Sequence, residues 1–156
     1  EIIHVMDNLE VSMSRETFNQ ILACYANSYV CLDSSGMVKA SVVFERMQEE
    51  GHRPDVFTYN AMIFAAAGLK PRCGNRELAE HYFSKMMENR SHILRAGKQN
   101  TSMGPNSETF LALLRACAYD KTDGSKHSRA WGLVSSMQDT FDLKPSAQHF
   151  SMLRYG

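Results

Sequence analysis

Two asparagines stand at the head of helices that are otherwise built for burial. Asn19 follows Thr17-Phe18 and Asn60 follows Thr58-Tyr59, and apolar residues at helical spacing come after both. An amide carries two donors and an acceptor. In a first turn it can satisfy backbone groups, or it can meet a partner from outside the chain. Asp55 and Asn106 each stand just before such a helix, where an oxygen-bearing side chain caps the free N–H groups. Little else in the sequence suggests chemistry. It contains no Gly-rich phosphate loop, no nucleophile elbow and no paired-histidine protease motif. His4, His52, His81, His92, His127 and His149 are scattered, and the acids fall mainly on exposed helix positions. Cys24, Cys31, Cys73 and Cys117 form no Cys-x-x-Cys pair and have no zinc spacing with histidine. Cys24 and Cys117 read as small hydrophobes on apolar helix faces, that is, as buried reduced thiols. The chain thus reads as a binding module, not an enzyme, with no metal or cofactor of its own.

The elements that must position these residues are visible as repeats. After Phe18 come Ile21, Leu22, Tyr25 and Ala26. After Tyr59 come Met62, Ile63, Ala66 and Ala67. After Phe110 come Leu113, Leu114, Cys117 and Ala118. Each set lies at +3, +4, +7 and +8 from the aromatic, which is one face of an α-helix. His149-Phe150-Ser151 begins the pattern again. A second helical template alternates with the first: Ala40, Phe44 and Met47; Ala79, Phe83 and Met86; Ala130, Val134 and Met137. Pro54, Pro105 and Pro145 close the second-type helices, and Asp55, Asn106 and Ser146 can cap the helices that follow. Turn compositions separate the paired helices at Asp33 to Gly36, Gly68 to Asn75 and Asp120 to Ser125.

No segment reads as a strand. The pattern predicts an all-α fold, a right-handed α-solenoid of stacked helix–turn–helix repeats, in which each hairpin buries its apolar face against its neighbours. The expected units are 15–55, 56–106 and 107–146, with the end of a preceding repeat at 1–14 and the start of another at 147–156. The stretch from Met86 to Asn106 is longer than that from Met47 to Asp55, so an insertion is expected near 91–103. The partial repeats at both ends imply a longer parent protein.

The totals limit the partners. The chain has 156 residues, 17 Lys plus Arg and 17 Asp plus Glu, so its formal charge is zero. A strong overall electrostatic hold on nucleic acid or on an anionic membrane is not expected, although a local basic patch is compatible with these totals. No apolar run is long enough to span a membrane, and no signal peptide opens the sequence.

The stretches "KASVVFERMQEEGHRPD" (Lys39 to Asp55) and "PDVFTYNAMI" (Pro54 to Ile63) resemble the pentatricopeptide repeat. The likeness lies in Thr-Tyr-Asn at the head, Ala-x-x-x-Phe-x-x-Met in the second helix, and Gly followed by Pro-Asp at the close. It extends from Ile3 to Leu153. The resemblance implies that first helices line a concave face and read single-stranded RNA, about one base per repeat. It implies that the residue after the opening aromatic works with the last residue of its repeat on one base edge. Asn19 then pairs with Asp55, which favours U, and Asn60 pairs with Asn106, which favours pyrimidines. Leu111 with Ser146 offers no such reading. The residue two before the aromatic helps to sandwich the base, which places Glu16, Phe57, Glu108 and Gln148 at that position. Phe57 can stack a base, whereas Glu16 and Glu108 suit a phosphate chain poorly.

The insertion, "SHILRAGKQNTSM", carries Arg95 and Lys98 and no acid. It reads as a basic loop, either a plain surface loop or a phosphate contact. Two functions follow from the resemblance. One is a module that binds single-stranded RNA and influences RNA processing, stability or translation. The other is a structural subunit of a large organellar assembly such as a mitochondrial ribosome, touching rRNA and protein subunits by shape. The family implies an organelle, the mitochondrion or alternatively a plastid, and no membrane partner.

Overall fold

The computed structural model describes residues 12–27, 35–69, 74–97, 104–120 and 126–154. Seven helices are described: α1 (Arg15–Ala26), α2 (Ser35–Glu49), α3 (Val56–Ala67), α4 (Arg76–Arg95), α5 (Ser107–Tyr119), α6 (Lys126–Asp139) and α7 (Ala147–Met152). No strand occurs among the described residues.

The starts of the helices follow from their caps. The side chains of Ser14, Asp55, Asn75 and Asn106 each accept a hydrogen bond from the backbone N–H three residues on. The end of α2 is equally specific. Gly51 has φ +81°, its N–H donates to the Gln48 carbonyl, and the His52 N–H donates to the Met47 carbonyl. This left-handed turn satisfies two carbonyls that the helix leaves free. It sends the chain back through Pro54 into α3.

α1, α3, α5 and α7 pack in a row, and α2, α4 and α6 each pack on the first helix of their own hairpin. α2 and α4 also touch the first helix of the next hairpin. This is an all-α helical-repeat solenoid, as the periodicity implied. The apolar stripe behaves as predicted along the middle of the array. Tyr59, Met62, Ile63, Ala66 and Ala67 are buried, as are Phe110, Leu113, Leu114, Cys117 and Ala118. Ala40, Phe44 and Met47 are buried from the second helix of their hairpin, and Ala79 and Met86 from theirs. Aromatic contacts run across the seams. Phe44 meets Tyr59 at 6.0 Å and Tyr82 at 5.6 Å between centroids, and Phe110 meets Phe83 at 6.1 Å and Phe141 at 5.4 Å.

Gly74 sits where the chain passes close both to the end of its own first helix and to the next hairpin. A Cβ built there would lie 2.7 Å from the Ala67 carbonyl oxygen and 3.2 Å from the Tyr119 Cβ. Beside it, Arg76 Nε binds Asp120 Oδ2 at 3.0 Å, and both side chains are nearly buried. Glu80 ties Arg76 to Arg129 of the next hairpin. An ion network therefore joins the start of α4 to the C-terminal end of α5 and to α6.

Three expectations need correction. Cys24 is exposed, not buried. It lies at +6 from Phe18, off the +3, +4, +7, +8 stripe, whereas Cys117 lies on it and is buried. Residues 91–95 are helical rather than loop, because α4 continues to Arg95 before Gly97 turns with φ +70°. Ser35 and Gly36 belong to α2 rather than to the turn before it. The rest of that turn, residues 70–73 and 121–125 of the other two inner turns, and residues 98–103 lie outside the described residues.

Candidate nucleic-acid interface

The two asparagines are held from the next repeat. In α3 the capping box is closed by threonine: the Asp55 side chain accepts from the Thr58 N–H, and the Thr58 Oγ1 accepts from the Asp55 N–H, each at 3.0 Å. The Thr58 hydroxyl proton is then left over, and it goes to Asn19 Oδ1 at 2.6 Å. Asn19 Nδ2 donates to the Asp55 carboxylate at 3.2 and 3.3 Å. The next seam repeats the arrangement. Thr109 Oγ1 donates to Asn60 Oδ1 at 2.6 Å, Asn60 Nδ2 donates to Asn106 Oδ1 at 3.1 Å, and Asn106 caps Thr109. Each asparagine therefore joins its own helix to the N-terminus of the following first helix.

The network also fixes which way each amide points. A carboxylate only accepts, so Asn19 must turn its nitrogen to Asp55 and its oxygen to Thr58. The Asn106 oxygen accepts from a backbone N–H, so Asn60 must likewise present nitrogen to it. One N–H of each asparagine amide remains uncommitted. Asn60 is 4% exposed and forms part of the packed seam, in contrast to a residue turned away from it. Asn19 is half-buried. Asp55 is also met by Arg15, whose Nε lies 3.4 Å from Oδ2.

Asn19 and Asn60 open onto one cleft of about 430 Å³ between α1 and α3, bordered by α5. Phe57, Phe64, Glu16 and Glu108 also line it. Phe57 is 68% exposed, a large ring standing free at the cleft wall. Thus Asn19, Asp55, Phe57, Asn60 and Asn106 form one continuous arrangement along the first helices. Arg95 does not join it. It is exposed at the end of α4, a second helix, and does not line the cleft. Lys98 lies outside the described residues.

Residues 1–68 match the sequence model for the pentatricopeptide repeat domain. The chain is also similar to a pentatricopeptide repeat-containing protein of Arabidopsis thaliana, with 30% identity over 117 residues. Both comparisons support the pentatricopeptide repeat family. The aligned part is 74% of this chain and 15% of that relative, so the chain spans a small fraction of the protein it matches.

Within this pentatricopeptide array the third seam is different. Leu111 replaces the asparagine and His149 replaces the threonine. His149 Nδ1 accepts from the Ser146 N–H at 3.1 Å, so its proton sits on Nε2 and donates to the Ser107 carbonyl at 2.9 Å. The buried imidazole keeps the cap and joins α7 to α5 without any amide. Sequence reasoning missed the roles of Thr58, Thr109 and His149. Threonine directly before the aromatic at 17, 58 and 109 was the available signal, because a capping-box hydroxyl that accepts from the backbone has one proton left to donate. Among the described residues no group of three metal-ligating side chains converges, and no helix is long and apolar enough to cross a membrane.

Proposed function

We infer that this pentatricopeptide array binds single-stranded RNA along its first helices, as part of a longer organellar protein. Its two complete asparagine seams each read one base. The observation that carries this reading is the fixed amide orientation at Asn19–Asp55 and Asn60–Asn106, on a cleft with a free aromatic ring.

Uracil offers carbonyl acceptors beside an N–H donor. The uncommitted N–H of Asn19 matches a carbonyl, and the Asp55 carboxylate matches the N–H. At the second seam Asn60 again supplies a donor. Asn106 has its oxygen engaged and its Nδ2 left to donate, which suits the bare ring nitrogen of cytosine. A pyrimidine, with cytosine preferred, is the expected base there. Phe57 stacks a base between the two reading positions, a contact worth about 1–3 kcal/mol. Leu111 leaves the third repeat without a hydrogen bond to any base. Occupying a transcript in this way would influence its processing, stability or translation in a mitochondrion or plastid with no bond broken by this segment.

Glu16 and Glu108 on the cleft favour a second reading, in which the array is a structural subunit of an organellar assembly such as a ribosome. Selection from a random single-stranded RNA pool separates the two. Enrichment of U next to a pyrimidine, lost in Asn19→Ala/Asn60→Ala, supports base reading. Binding no tighter than micromolar by a chain with an intact helical spectrum rules it out in favour of the structural subunit.

A further inference from the structure

Arg115 lies one turn beyond Leu111 on α5, on the face that also carries Glu108. Its guanidinium carbon is 5.5 Å from the centroid of the Tyr119 ring on the same helix and 6.0 Å from that of Phe64 on α3. Both distances are within cation–π range. Phe64 lines the cleft that holds Asn19 and Asn60, so Arg115 borders the base-reading face. Four other arginines of the array are committed to acids: Arg15 to Asp55, Arg46 to Glu50, Arg76 to Asp120 and Glu80, and Arg129 to Glu80; Arg90 also stacks on a ring, that of Phe141, but lies on α4 and does not line the cleft. Arg115 makes no ion pair or hydrogen bond with any described residue, and its Nε is buried without a partner. The side chain as a whole is half-buried. Two rings thus hold a planar cation in place and leave its charge unspent. A guanidinium so placed suits a phosphate oxygen, which it can meet with paired N–H groups from a fixed plane.

We propose that Phe64, Arg115 and Tyr119 form a clamp that takes a phosphate of single-stranded RNA at the repeat where Leu111 reads no base. The clamp rests on the RNA-binding reading above and adds a division of labour to it. The first two seams select bases, and the third supplies affinity without sequence preference. Leu111 gives any base an apolar surface, and Arg115, one turn away, holds the backbone beside it. The clamp also offsets part of the repulsion expected from Glu16 and Glu108.

The test uses the whole chain and fluorescein-labelled oligouridylate and oligocytidylate, read by anisotropy over a salt series. Arg115→Gln is expected to weaken binding about five-fold on both oligonucleotides. It should also make the log–log salt dependence shallower by about 0.7, the contribution of one single-strand phosphate. Arg115→Lys should keep the salt slope and restore part of the affinity, since it retains the charge and loses the planar fork. If the wild-type chain binds and Arg115→Gln leaves affinity and slope unchanged, the clamp is wrong and base reading stands. A loss confined to one of the two oligonucleotides also overturns it, because a backbone contact cannot distinguish bases. If the wild-type chain binds neither oligonucleotide nor a random pool, the clamp and the RNA-binding reading fall together.

Discussion

Thr109 gives the sharpest test of the seam. Its side chain is fully buried and links three groups: Oγ1 accepts from the Asn106 N–H at 3.0 Å, donates to Asn60 Oδ1 at 2.6 Å, and belongs to the residue whose own N–H is capped by Asn106. Thr109→Val keeps the shape and removes the hydroxyl. Two hydrogen bonds are lost, each worth about 1 kcal/mol net, and the Asn60 oxygen is left buried without its donor at a further cost of about 1–3 kcal/mol. Partial relaxation brings the expected loss to about 2–4 kcal/mol. For a chain of this size that is roughly 4–16 °C in melting temperature. Thr58→Val removes the same hydroxyl from the preceding seam, where Asn19 and Asp55 are half-buried and water can replace it. About 1–2 kcal/mol is expected there. Urea unfolding followed by far-ultraviolet circular dichroism measures both. A Thr109→Val loss below about 0.5 kcal/mol, or a Thr58→Val loss as large as that of Thr109→Val, would refute the reasoning, because burial of the acceptor is what separates the two.

Four further outcomes are expected. Burial first, then Glu80, pushes the Cys117 thiol up to about 11 from its ordinary value of 9.0. Its neutral form is therefore favoured by folding. That stability is fully present below pH 9.0 and is lost as pH rises toward 11, a slope that Cys117→Ala should reduce in a denaturation series. In the native state at pH 8, roughly the ordinary thiol range, peptide mapping after iodoacetamide should show Cys24 alkylated and Cys117 protected. Gly74→Ala puts a methyl against the Ala67 carbonyl and should destabilise by about 1–3 kcal/mol in urea, whereas Gly132→Ala, with open space around it, should not. Asp120→Ala strips a nearly buried partner from Arg76, which keeps Glu80, and a loss of about 2–3 kcal/mol should appear in the same assay; a neutral result would show that Glu80 alone carries the arginine.

Information that lies within one helix was legible in the sequence. The spacing after Phe18, Tyr59 and Phe110 located the buried stripe, because residues three and four apart share a face whatever surrounds the helix. Asp55 and Asn106 were legible as caps for the same local reason, since the groups they satisfy are three residues away. The exposure of Cys24 could also have been read from its +6 position. Partnerships across the stack could not. Thr58 reaches Asn19 across 39 residues and Thr109 reaches Asn60 across 49. Nothing in the local pattern says which polar group of one hairpin will face which of the next. That depends on how far the second helices and turns displace successive first helices, a quantity set by side-chain packing at every seam. Only the tertiary structure therefore decided that Asn60 is a buried joint as well as a candidate reader. It also fixed which end of its amide faces outward, let His149 take over where Leu111 ended the pattern, and left Arg115 with an unspent charge between two rings.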